Sequence, residues 1–284
     1  SLSTYQNMER RNPFAMDLIN SSPAATDDTP PLSEEQVIRN LRQESDLSDQ
    51  YYAAWWLGRM RSQHPQTVPL LLKTLTALED HPLDQDRRGV ALNAIRSLGW
   101  LQDTSTSHIL SSLLQSNDYG IREAAARSLG SMQASNAVEA LCSLLASGPT
   151  VAGKERPNSA LLQEPCEAIL EALGSIGSNG ADVLNVIRPF CNHARALIRS
   201  AACRAMLQLT QDGRWAQQLE QLLNDPTPLV RRGALLDLGA TGWLPSLPAI
   251  QATAAENSLK LVALRGLAEQ SGDSNVLDAM DSLL

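Results

Sequence analysis

The chain has 284 residues, 43% of them apolar and 19% charged, with 16 Gly and 15 Pro, which excludes collagen and wholesale disorder and leaves one large domain, two small ones or a repeat array. Its formal charge of −8 argues against nucleic acid as the main partner, and apolar runs such as Val68 to Leu72 fall far short of the ~20 residues of a membrane span. Four scattered cysteines (Cys142, Cys166, Cys191, Cys203) form neither a disulfide framework nor a zinc pattern, and the N-terminus carries no apolar signal core, so the expected setting is reducing and cytoplasmic.

In chain order, residues 1–32 read as a flexible tail, because Ser21 to Pro31 is polar, Pro-rich and aperiodic. A helix is predicted to start at Ser33, which can cap free N–H groups, with Gln36 at the capping-box position and Glu34 and Glu35 at the positive end of the helix. An Ala-rich helix ending in Leu-Gly then recurs: Ala53 to Gly58, Ala94 to Gly99, Ala125 to Gly130, Glu171 to Gly174, Ala201 to Leu207 without its Gly, Leu235 to Gly239, and faintly Ala263 to Leu267. The copies lie about 30–45 residues apart, the period of helix-pair repeats. Leu-rich stretches lie between them, such as Ile109 to Leu114 and Ala137 to Leu145. Each unit is therefore a helix pair that buries its apolar face only by stacking on its neighbours. The expected fold is an all-α, HEAT-like α-solenoid, a superhelix of stacked helix pairs over residues 33–284. Small Ala residues allow close helix approach, and the terminal Gly is expected to supply a left-handed C-cap. A turn is expected at Asp118 to Arg122, echoed by Asp225 to Arg231, and residues 147–163 read as a loop insert, a tolerated insertion or a lid.

Four of the eleven aromatic residues fall within six positions: Tyr51, Tyr52, Trp55 and Trp56. At 100° per residue, Ala53, Ala54, Leu57 and Met60 share one side of their helix, while the rings and Arg59 share the other. The rings either cover the end of the repeat core or face a ligand. Aligning the repeats on their terminal Leu puts Arg96, Arg127, Glu171, Arg204, Leu236 and Arg265 at the position of Trp55. Glu123 and Glu167 fall at the position of Tyr51. The column is either a solvated face with ion pairs such as Glu123–Arg127 or a groove for an elongated, partly apolar, anionic ligand, with arginine forks for carboxylates and rings for a planar body. Asp237 completes the candidate ligand-binding set. The four histidines form no ligand pair, so no metal site is expected. There is no phosphate loop and no nucleophile elbow. Cys191-Asn192-His193 reads as structural.

The segment Tyr51-Tyr52-Ala53-Ala54-Trp55-Trp56-Leu57-Gly58-Arg59-Met60-Arg61 resembles the signature of the E/F-type phycobilin lyases, and specifically their E subunit. Similar support comes from Arg122 to Ala125, Pro165 to Gly174 and Ala255 to Leu261. One departure is Cys166, where the family implies Tyr. The resemblance implies an enzyme that binds a linear tetrapyrrole (a bilin) as substrate, with no prosthetic group. It presents the bilin to a cysteine of a phycobiliprotein α subunit, whose thiolate forms the thioether. The lyase supplies orientation and a proton. On that reading Glu123 and Glu171 are the candidate proton donors. The arginines Arg59, Arg96, Arg127 and Arg204 suit the propionates, Glu167 and Asp237 line the groove, and the rings sandwich the conjugated plane. The implied partner is a homologous F-type chain. The alternatives are a non-enzymatic repeat scaffold that binds a protein, or a bilin chaperone or chromophore-detaching factor.

Overall fold

The computed structural model describes residues 31–284. The expected tail, residues 1–32, lies outside them except for its last two. Among the described residues there are fifteen α-helices, short 3-10 turns and one isolated antiparallel bridge between Glu155 and Leu162. Helices α1 (Glu34–Arg42), α3 (Thr67–Asp80), α5 (Ser107–Ser112), α7 (Val138–Leu145), α9 (Ala181–Ile187), α11 (Gly213–Leu222) and α13 (Leu247–Ala252) alternate with the Ala-rich helices of the repeat. Those are α2 (Leu47–Arg59), α4 (Gln85–Leu101), α6 (Tyr119–Ser131), α8 (Cys166–Ile176), α10 (Ala196–Thr210), α12 (Pro228–Thr241) and α14 (Asn257–Ser271); α15 (Asn275–Asp281) ends the chain. This is the expected all-α, HEAT-like solenoid class. The chain divides into two compact units, residues 32–234 and 235–284.

Helix starts follow the sequence. Ser33 accepts from Gln36 N, and Asp46, Asp84, Asp118 and Asp212 cap α2, α4, α6 and α11 with their carboxylates. The expected turn at Asp118 to Arg122 is thus the cap and first turn of α6. Arginines then staple three of the second helices to the loop before them. Arg122, Arg199 and Arg231 each send Nη1 to the carbonyl six residues back, on Ser116, His193 and Asp225, at 2.9, 2.9 and 2.8 Å. This physical need lies behind the echo between Asp118–Arg122 and Asp225–Arg231.

In the unit 32–234, α2, α4, α6, α8 and α10 pack on one another in chain order. Ala53, Ala54, Leu57, Ala94, Ile95, Leu98, Ala125 and Leu129 are buried between them, and the first helices add Leu71, Leu110, Leu141 and Ile187. Each such Leu or Ile contributes roughly 1.5–3 kcal/mol by burial. Met60, expected on the packed side, is 57% exposed because the helix has ended and it serves as the C-cap.

The glycines of the Leu-Gly repeat are not caps. They stay helical, and each lies where the next second helix comes closest. A Cβ on Gly58 would sit 2.2 Å from Ser97 Oγ, one on Gly99 2.7 Å from Ser128 Oγ, one on Gly130 2.8 Å from Ala172 Cα, and one on Gly174 2.9 Å from Ala205 Cα. Ser97 Oγ donates to Ala54 O at 2.5 Å and Ser128 Oγ to Ile95 O at 2.7 Å, so two of these contacts also carry a directed bond. The left-handed residue comes three positions after each glycine, at Arg61, Gln102, Gln133 and Gly177. In the unit 235–284 the same contact recurs, with Gly239 against Ala263 and Gly266. Leu235, Leu238, Ile250, Leu264, Leu267 and Val276 form its core.

The insert is anchored along its length. His193, buried, shares a 2.7 Å hydrogen bond from Nε2 with Gly153 O, and its Nδ1 accepts from Arg195 N at 2.9 Å. Arg195 Nη2 reaches Glu155 Oε1 at 2.7 Å. Arg122 sends Nε to Glu164 Oε2 at 3.2 Å and Nη2 to Gln163 O at 3.3 Å. Cys166 Sγ donates to Ala152 O. The Tyr119 ring carries Arg122 and the insert's Arg156 at 5.6 and 5.0 Å from its centroid. His193 thus has a structural role, as its motif suggested.

Replacing Gly130 by Ala should lower stability by about 1–3 kcal/mol through overpacking against Ala172. The same change in an open helix interior stabilises by about 1 kcal/mol, so urea unfolding decides by the sign. His193→Ala should free the insert, and trypsin should then cut after Lys154 roughly tenfold faster than in the wild type, as expected for a segment whose local opening has become easier.

Candidate functional site

The glycine contacts fix the register of the column. In each repeat the glycine stands three residues after a column position, and the small residue it meets stands one residue after the next column position. Trp55, Arg96, Arg127, Glu171 and Arg204 are therefore equivalent positions on five successively packed helices. The sequence alignment placed them correctly.

At the centre the column is an ion ladder. Arg127 Nη1 donates to Glu171 Oε2 at 2.8 Å, and Arg204 Nη1 lies 3.7 Å from Glu171 Oε1. The three side chains are 23, 22 and 17% exposed, in the order Arg127, Glu171, Arg204. The local pairing considered for Arg127, with Glu123 four residues away, is replaced by this pairing between repeats. Burial works against the Arg127 charge, but Glu171, Glu167 and Glu123 together outweigh it and hold its pKa above the ordinary guanidinium value. Both candidate proton donors and Glu167 thus lie in the electrostatic field of one arginine. Arg127 Nε is buried and meets no hydrogen-bond acceptor.

Toward the N-terminal end, Arg96 Nη1 donates to Asn93 Oδ1 at 3.3 Å and Asn93 Nδ2 donates to Tyr51 O at 3.1 Å. This relay joins the column to the aromatic helix. Asn93 is a residue that the sequence reading missed. Its only signal is a polar residue three positions before a column arginine, on a buried face. The rings divide in role. Tyr51 lies against α4, 3.5 Å from where a Cβ on Gly89 would stand, and meets Tyr52 edge to face at 5.6 Å. Tyr52 is 63% exposed, while Trp55, Trp56 and Arg59 are half-buried. In the unit 235–284, Asp237 is buried, and Arg265 forms an exposed i,i+4 pair with Glu269 at 2.9 Å. At Arg265 the solvated-face alternative holds.

The column is an open face. Two pockets among the described residues, of about 580 and 610 Å³, lie elsewhere, one beside the insert at Val151 and Lys154, the other at the ends of α2 and α4 around His64 and Trp100. No group of His, Cys, Asp and Glu among the described residues has a metal-binding arrangement. The cysteines are free thiols. Burial, with the Glu164 charge behind it, pushes the Cys166 thiol up to about 12. Burial raises Cys142, and a hydrogen bond with Cys203 together with burial raises Cys191. None of these three is a poised thiolate.

Residues 49–76 match the PBS lyase HEAT-like repeat family and residues 83–152 the HEAT repeats. The chain is 62% identical over 263 residues to the bilin biosynthesis protein RpcE of Synechococcus sp. (strain WH8020), covering 93% of this chain and 99% of the relative. It is 41% identical over 262 residues to the phycocyanobilin lyase subunit alpha of Picosynechococcus sp. (strain PCC 7002), covering 88 and 96%. Among solved structures it is similar to a chain of the CpcE–CpcF complex of phycocyanin lyase from Nostoc sp. PCC7120, with a TM-score of 0.79, 39% identity and coverage of 92 and 98%.

The thiols give a direct check. In the folded protein at pH 8, iodoacetamide should alkylate Cys166 on the order of a hundredfold more slowly than in urea, because burial suppresses the thiolate. Mass spectrometry of the modified peptide reads the difference.

Proposed function

The chain belongs to the phycocyanobilin lyase alpha (E-type) family, and from that membership we propose how its column serves the reaction. It is the E-type subunit of a bilin lyase that works with an F-type partner and attaches a bilin to a phycobiliprotein α subunit through a thioether. The bilin is the substrate held by the column. No described helix is long and apolar enough to cross a membrane. The free thiols suit the reducing cytoplasm that we propose as its setting.

The observation that carries the site assignment is the Arg127–Glu171–Arg204 ladder, with Arg96 at the preceding column position tied through Asn93 to the backbone of α2, the helix that bears the rings. A linear tetrapyrrole has a planar apolar body, two propionates and protonatable ring nitrogens. Arginine forks match the propionates, with each charge-assisted contact contributing about 1.5–3 kcal/mol. Tyr52, Trp55 and Trp56 offer ring surface for the conjugated plane. Glu123 and Glu171 are the acids placed to hold a ring nitrogen's proton and release it as the bond forms. Cys142, Cys166 and Cys191 are raised in pKa and three of the four cysteines are buried, which suits a nucleophile supplied by the acceptor.

The test is transfer of phycocyanobilin to the phycocyanin α subunit by this chain with its F-type partner, scored as covalent colour on the acceptor. Changing Arg127 and Arg204 together to Gln should weaken bilin binding by roughly a hundredfold, the loss of two charge-assisted contacts. Replacing Cys142 and Cys166 by Ser should leave transfer within about twofold, as befits groups outside the chemistry. Trp55→Ala with Tyr52→Phe should lose transfer, and because Trp55 is half-buried its melt should fall less than the ~3–5 kcal/mol of a core Trp truncation. Normal transfer by the arginine double variant would remove the column from the site.

A further inference from the structure

The column position is arginine on α4, α6 and α10 but glutamate on α8, the helix packed between α6 and α10. Its two oxygens face different arginines: Oε2 receives Arg127 Nη1 at 2.8 Å and Oε1 stands 3.7 Å from Arg204 Nη1. A carboxylate thus already lies where an anionic ligand would dock. It also satisfies Arg127 incompletely, since it uses one terminal nitrogen and the buried Nε meets no acceptor. The contrast with Arg88 is direct. Arg88 grips Asp118 along its Nε edge, at 2.6 and 2.9 Å. A guanidinium that offers this edge to a carboxylate makes two parallel bonds, where Glu171 takes one from Arg127.

We propose that Glu171 is an internal carboxylate that holds Arg127 and Arg204 in place until a ligand carboxylate displaces it. The exchange rests on the reading of the column as the bilin site and deepens it. A propionate takes over the arginine pair, Arg127 turns its Nε edge toward it, and Glu171 is freed from its ion pairs at the moment the tetrapyrrole arrives. Glu171 is then a positioning and selectivity residue. It sets the affinity threshold for carboxylates and becomes a free acid beside the bound ring system only once a ligand is present. A ligand without carboxylates cannot perform the exchange, so the device selects for propionate-bearing bilins.

The probe is phycocyanobilin as the free acid and as its dimethyl ester, titrated against the chain in complex with its F-type partner and followed by absorbance. Glu171→Gln removes the competing charge. It should raise the ratio of free-acid to ester affinity about tenfold over wild type, or ~1.4 kcal/mol. Glu171→Asp retains the charge but draws it back by one methylene, so it should fall between the two. Its rank decides the matter should Glu171→Gln fail to fold. The free acid should also raise the melting temperature of Glu171→Gln more than that of wild type. An unchanged or lowered ratio of acid to ester affinity in Glu171→Gln, with wild type binding both, overturns the exchange while leaving the bilin site standing. Absence of binding of either form to wild type overturns both.

Discussion

The close contact between a helical glycine and the small residue of the next repeat governs this protein. It brings successive Ala-rich helices near enough for their backbones to approach, and it does so at a fixed offset from one surface position. Because the offset is the same at Gly58, Gly99, Gly130 and Gly174, that surface position is carried forward without slippage from α2 to α10. An ion pair spanning 44 residues of sequence, Arg127 to Glu171, follows from it. With larger residues at these points the helices would separate, and side chains of fixed length would no longer bridge the gap between rungs.

Much of this was legible in the sequence, and the reason is periodicity. Ala-rich segments ending in Leu-Gly gave both the repeat and the register, so Arg96, Arg127, Glu171 and Arg204 could be aligned before any contact was known. The function of the glycine was not legible. Gly after an Ala-rich run signals both a left-handed cap and a tight helix crossing, and only the partner helix distinguishes them. The left-handed positions that close these helices are Arg61, Gln102, Gln133 and Gln211, residue types that announce nothing, as well as Gly177, Gly242 and Gly272. Arg127 shows the same limit. A helical wheel sees Glu123 four residues away, whereas the acid that Arg127 meets lies on the following repeat. The separate roles of Tyr51 and Tyr52 were equally hidden, because the wheel gives direction but not what stands opposite.

The insert shows how a family-level departure is absorbed. Cys166 stands where the family resemblance implies Tyr, and its thiol caps a carbonyl of the insert. Arg122, His193 and Arg195 bind the same segment from both sides in sequence. The loop chemistry of residues 147–163, rich in Gly, Pro and charge, was compatible with either a tolerated insertion or a lid. The contacts that anchor the segment come from residues up to about 40 positions away, which local composition does not reveal.

The rungs differ in kind. Ser97 and Ser128 add a hydroxyl-to-carbonyl bond to their glycine contact, whereas Ala172 and Ala205 have no hydroxyl to give, and between α6 and α8 the directed bonds come from Gln133 Nε2 to Ser175 O at 3.0 Å and Arg127 Nη1 to Glu171 Oε2 at 2.8 Å. A hydrogen bond has direction and resists displacement along the helix axis; dispersion contact opposes compression but is nearly indifferent to a small slide. Resistance to shear is therefore set at the backbone contact itself from α2 to α6, and by surface side chains from α6 onward. Sliding of packed helices is a common mode of deformation in such assemblies, and past α6 it is opposed by Glu171 and its two arginines, so the side chains of the column also act as the stack's lateral ties.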